Sequence, residues 1–179
     1  KTGLLVIAHN VDIDMNGFRL HGGGVASNGV YSTRGESRIH GGVISSFKFD
    51  GIFLNGVGTN SWVVEDMQIV NNKGNGIKAI NSYYSRYLDN SILHNNLVGI
   101  VCGFFCHVEG NNVSDNGDLG ILIKSGTVLG NTIFSNGGLG IYDDAVPSDT
   151  GFGNNTIVAN NAAASGTQDF TPPNAVTQP

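Results

Sequence analysis

Val108 to Ile141 reads VEGNNVSDNGDLGILIKSGTVLGNTIFSNGGLGI, and its features return in the same order 20 residues later. Val108 is answered by Val128, Asn111 by Asn131, Val113 by Ile133, Asn116 by Asn136, and Gly120-Ile121 by Gly140-Ile141. The pattern extends towards the N-terminus. Gly followed by a β-branched residue also occurs at Gly29-Val30, Gly51-Ile52, Gly76-Ile77 and Gly99-Ile100, so the six pairs lie 22, 25, 23, 21 and 20 residues apart. A second apolar anchor keeps step at Leu20, Ile44, Ile69, Ile92, Val113, Ile133 and Ile157. Asn follows the later anchors at Asn72, Asn95, Asn116, Asn136 and Asn160, and precedes them at Asn90, Asn111, Asn131 and Asn155. Phased repetition of this kind marks a solenoid or a propeller.

The residue types decide between repeat architectures. Gly, Asn and β-branched residues are poor helix formers, so helical repeats are disfavoured. Propeller blades need about 40 residues, twice this period, and the Leu-x-x-Leu-x-Leu frame of leucine-rich repeats is absent. An all-β coil of short strands joined by turns remains. Stacking coils at about 4.8 Å aligns Ile, Leu and Val into continuous inward columns. It also piles like Asn side chains where their amides can bond along the stack, a structural role. The expectation is a parallel β-helix of about seven coils of 20–25 residues over residues 1–161, with 162–179 as a capping segment and loose tail in which Phe170 plugs the last coil.

Composition excludes some functions. The nine Lys and Arg are scattered singly in a chain of net charge −5, which gives no basic patch for nucleic acid. No apolar run approaches the roughly 20 residues of a membrane-spanning helix. The chain opens at Lys1-Thr2-Gly3 without a secretory leader and enters the apolar run Leu4 to Ala8, which reads as a processed or trimmed start. Cys102 and Cys106 are too few for a disulfide framework or a zinc site; a short-range disulfide and two buried thiols are both open.

The phrase Val11-Asp12-Ile13-Asp14-Met15-Asn16-Gly17-Phe18-Arg19-Leu20 and the later Gly-Asn-x-Ile/Val and Gly-Ile units resemble the bacterial right-handed parallel β-helix repeat family, of the pectate-lyase-like superfamily, over about residues 4–161. Right-handed winding follows from this resemblance and from the general crossover preference. The superfamily includes pectate lyases, polygalacturonases, alginate lyases, mannuronan epimerases and phage tailspikes. Of the polygalacturonase pattern only the paired Asp143-Asp144 is present, and the epimerase Asp-Pro-His motif is missing. The resemblance therefore implies an extracellular module, secreted, periplasmic or on the cell surface, that binds or processes an acidic polysaccharide, by β-elimination or epimerisation if it is catalytic. The alternative is a non-catalytic, self-associating structural protein.

Strand alternation yields candidate site residues. If Ile39, Val64, Tyr87, Val108 and Val128 point inward, then Arg38, Arg86 and His107 lie on one outward column and His40, Glu65 and Glu109 on the next. Elimination beside a carboxylate needs a cation to neutralise it and a base to take the proton. Arg86 with His107, and Arg38 with His40, fit those roles; a solvated face laced with ion pairs is the plainer reading. A further outward column holds Tyr31, Phe53, Lys78, Val101, Leu122 and Tyr142. Tyr31, Phe53 and Tyr142 could stack on sugar rings, or the stripe could bury itself against another subunit. Homo-oligomers are expected through this stripe or through the open N-terminal end. Tyr83, Tyr84 and Tyr87 fall in the longer turn and strand after Asn81; one of them, near Arg86, could serve as an acid for a leaving group, and core or turn packing is the commoner role. Asp143, Asp144 and Asp149 are candidate calcium ligands without EF-hand spacing; no other metal or cofactor is expected.

Overall fold

The protein is described from a computed structural model, which covers residues 1–56, 58–144 and 149–161 and the backbone of Ala175–Thr177. It is a right-handed β-helix with no helical segment among the described residues. Each full coil contributes three short strand segments. The first segments stack into a seven-stranded sheet that begins with Leu4–Val6 and Val30–Ser32 and ends with Ile141–Asp143. The second and third segments form two faces of a larger sheet. Asp12–Asp14 opens one face and Arg19–His21 the other. In Arg38–Ser45 and Val63–Val70 both faces belong to a single strand, bent where Gly41 and Asp66 take positive φ (69° and 50°). Every pairing in both sheets is parallel, as stacked coils require.

The register matches the sequence periodicity. Val30, Ile52, Ile77, Ile100, Ile121 and Ile141 sit one above another, and none is more than 2 % exposed. Ile39, Val64, Tyr87, Val108 and Val128 make a second buried column. Ile44, Ile69, Ile92, Val113, Ile133 and Ile157 make a third. Tyr87, the bulkiest member of its column, shares a coil with Ala79 in the facing sheet, so a large side chain is offset by a small one.

Two features turn the corners. One residue at each corner takes the left-handed conformation, and many are not glycine: Ser61, Tyr84 and Phe105 at one corner, Asp66 and Asp89 at the next, Asn71, His94 and Asp115 at the third. Buried Asn side chains come immediately after Asp89, Asn71, His94 and Asp115, and they form columns at the second and third corners. Asn95 Nδ2 donates to Asn116 Oδ1 at 3.0 Å and Asn116 Nδ2 to Asn136 Oδ1 at 3.0 Å. Asn90, Asn111, Asn131 and Asn155 do the same in the second column. Each amide oxygen also accepts the backbone N–H of the coil before it, as Asn116 Oδ1 does from Asn95 at 3.1 Å. The corner backbone thereby keeps its hydrogen bonds without water. The Gly-Ile glycines have a steric cause: a Cβ on Gly99 would lie 2.4 Å from Val113 Cγ1 and 2.7 Å from the carbonyl oxygen of Gly120.

A third ladder escapes the sequence reading. Asp50 Oδ1 accepts from the backbone N–H and side-chain amide of Asn75, and Asn28 Oδ1 accepts from the backbone N–H of Asp50. At the C-terminal end, Ala175–Thr177 pairs in parallel with Thr156–Val158. The plug expected of Phe170 lies outside the described residues. At the other end Leu4–Val6, Asp12–Asp14 and Arg19–His21 pair on one side only among the described residues, and Leu5, Ile7, Phe18 and Val25 are exposed.

Candidate functional site

The outward columns form as the alternation requires. Arg38, Val63, Arg86, His107 and Thr127 are neighbours on successive coils, and so are His40, Glu65, Leu88, Glu109 and Leu129. The six charged or imidazole residues therefore share one face, but the face divides into two groups separated by Val63 and Leu88.

The first group is locked by pairing. Arg38 Nε donates to Glu65 Oε1 at 2.7 Å, one of its terminal nitrogens bonds the same oxygen, and the other lies 3.7 Å from Asp12. The bond to Glu65 holds the guanidinium pKa above its ordinary value. His40 stands between Asp12, 3.3 Å from Nε2, and Asp14, 3.8 Å from Nδ1. Asp12 and Asp14 belong to the site only because their strand stacks directly on Arg38–His40, which puts Asp12 beside Arg38 and Asp14 beside His40. Arg38 is thus already neutralised by carboxylates of the chain itself, against its expected role of meeting a substrate carboxylate. An open surface depression of about 320 Å³ lies beside this group, lined by Asp12, Glu36, Arg38 and Ser61 among others.

In the second group His107 is flanked by Arg86 on one coil and Thr127 on the next. Its Nε2 lies 2.7 Å from Glu109 Oε2, and its Nδ1 contacts the Thr127 hydroxyl. Both ring nitrogens are engaged, so His107 as a base must first release Thr127. Arg86 is exposed and makes no ion pair among the described residues.

The stripe is less open than its composition suggests. Tyr31 and Phe53 pack edge-to-face at 5.5 Å, Lys78 sits 5.2 Å over the Phe53 ring, and the Tyr31 hydroxyl accepts from Asn55 Nδ2 at 2.8 Å. Val101 is buried and the others are half-buried. Tyr142 lies far along the stack from Tyr31, with Phe53, Lys78, Val101 and Leu122 between them, so the three expected sugar-stacking residues do not form one platform.

The structure instead gathers four other aromatic rings. Tyr83 stacks on Phe104 with centroids 5.2 Å apart, and Tyr84 on Phe105 at 5.4 Å. Lys124 Nζ lies 5.1 Å over Phe104. The signal was present in the sequence: Tyr83-Tyr84 and Phe104-Phe105 are 21 residues apart, the same interval that separates Arg86 from His107.

The three acidic calcium candidates do not converge. Strand alternation sends Ile141 in, Tyr142 out and Asp143 in, so Asp143 is buried while Asp144 and Asp149 are exposed. Among the described residues no three His, Cys, Asp or Glu side chains come together in a way that could hold a metal. Cys102 and Cys106 are free thiols, both buried, on either side of the corner that carries Phe104 and Phe105. Burial, with Cys106 close by, pushes the Cys102 thiol well above its ordinary pKa.

One comparison with known proteins returns a match: the family described as the right-handed β-helix region covers residues 3–162. No curated protein and no solved structure matches the chain.

Proposed function

Because the chain belongs to the right-handed β-helix family, we propose that it is a β-helix module binding an acidic polysaccharide along the outward face that carries Arg86, His107 and Glu109. The carrying observation is Arg86, an exposed guanidinium without an ion pair among the described residues, one coil from an imidazole that a carboxylate orients. Such a group is free to meet a uronate carboxylate, and a bidentate arginine–carboxylate pair is among the stronger polar contacts available to a surface. Binding fits the geometry better than turnover. Arg38, His40 and His107 already have partners in the chain, and a proton-abstracting base needs a nitrogen facing the substrate. Elimination or epimerisation remains the chemistry this face offers once His107 Nδ1 parts from Thr127.

Affinity electrophoresis through gels of polygalacturonate, alginate and a neutral glucan tests the proposal. Retardation by the uronate polymers alone is expected, reduced about tenfold in Arg86→Gln. Absence of retardation by every uronate polymer overturns the proposal. Appearance of unsaturated product, read by ultraviolet absorbance, would add turnover to binding.

A further inference from the structure

The ledge of Tyr83, Tyr84, Phe104 and Phe105 is used by nothing described so far. Tyr84 and Phe105 are 61 % and 50 % exposed, and they occupy corner positions with φ of 60° and 53°. An exposed aromatic at a left-handed corner gains nothing for the turn itself; Asn or Gly fits there with less strain. The rings lie 16° from parallel with centroids 5.4 Å apart. Ring contact at about 3.5–4 Å then requires a sideways slip of about 4 Å, so each ring leaves part of its face uncovered, like a shingle.

Size and charge choose the occupant. The two exposed rings and their two half-buried neighbours together offer no more than roughly 400 Å². A stable protein–protein interface takes about 800 Å² from each partner. The ledge is small for a second copy of the chain and adequate for one or two pyranose rings. Its polar margin is cationic: Lys124 lies over Phe104, and Arg86 and His107 follow two residues after Tyr84 and Phe105 on the same pair of coils. Glu109, the nearby carboxylate, is held by His107.

We infer that this ledge is a subsite for one or two uronate rings, whose apolar faces rest on Tyr84 and Phe105 and whose carboxylates reach Arg86 and Lys124. The inference rests on the polysaccharide reading above and adds what selects a uronate over another anion: the ring as well as the charge.

Isothermal titration of the full chain with short oligogalacturonates and oligomannuronates tests it, with a neutral oligoglucose and inorganic polyphosphate as controls. The test variant is Tyr84→Asn/Phe105→Asn, since Asn suits left-handed corners and both side chains are exposed; its unfolding transition confirms that it folds. The expected result is loss of uronate affinity by about tenfold or more, with any weak polyphosphate binding unchanged. Arg86→Gln weakens both. Undiminished uronate binding by the double variant overturns the subsite and leaves the polysaccharide reading standing. Absence of uronate binding by the unsubstituted chain overturns both. If the double substitution dissolves an oligomer without weakening uronate binding, the ledge is a contact between copies and the subsite is overturned.

Discussion

Tyr87 shows how the interior treats a single polar atom. Its ring fills the core at 0 % exposure, and its hydroxyl has no partner at normal hydrogen-bond geometry among the described residues, although Ser85 is near enough to ease its ionisation slightly. Burial raises the phenol well above its ordinary value of 10.0, and likewise the Cys102 thiol above 9.0. Both groups are neutral in the folded core and ionise more readily in the unfolded chain. Their contribution is therefore intact below those ordinary values and is lost as the pH rises from about 9 towards the folded-state values. Urea midpoints measured from neutral to alkaline pH should fall over that window, and fall less in Tyr87→Phe and Cys102→Ala. At neutral pH Tyr87→Phe should leave stability unchanged or raise it by about 1 kcal/mol, because it removes a buried hydroxyl without a good partner. By contrast the Arg38–Glu65 pair, with the Arg38 side chain 43 % exposed, contributes little.

At the scale of strand and corner, the Asn ladders and the glycine column set the tolerance of the fold. Asn116 makes bonds to Asn136, Ile92 and Asn95. Asn116→Ala strands several buried partners at once, and a loss of about 2–4 kcal/mol is expected from denaturant unfolding. Gly99→Ala drives a methyl into the backbone of the next coil and should cost at least as much; an unchanged midpoint would contradict the close approach described at that position. Columns and ladders of this kind are legible in sequence because one residue type returns every coil. The Asn28–Asp50–Asn75 ladder is harder to read because its members differ in type. The pairing of Arg38 with Asp12 is harder still, since it depends on which of the uneven early coils lies above which, and an interval of 26 residues carries no mark of its own. The ledge was hidden for another reason: two different aromatic pairs repeat only once.

For the molecule as a whole, stability is a sum of coils and of contacts between neighbouring coils. Deleting residues 99–119, which begin and end in register at Gly99 and Gly120, should leave a shorter folded rod with its columns rejoined. A cooperative but earlier thermal transition, with the strand-rich circular dichroism retained, is the expected outcome; collapse to an unfolded chain would show that the coils are not interchangeable. The same deletion removes Phe104, Phe105, His107 and Glu109 and, on the proposed reading, should weaken uronate binding by at least as much as the double variant. Function on such a rod belongs to pairs of adjacent coils, which is why the fold is so much easier to read from the chain than the site.

In both long Asn ladders one N–H of each side-chain amide points towards the later coil, the other reaches back to a carbonyl of the earlier coil, and each oxygen faces the earlier coil. The small amide dipoles therefore add in file instead of cancelling, and polarise one another as they do so. Each file acquires an electrical sense, partly positive at Asn155 or Asn160 and partly negative at Asn90 or Asn72. A charged polymer laid lengthwise on the proposed face would meet two unlike poles, and so would have a preferred heading as well as a preferred face.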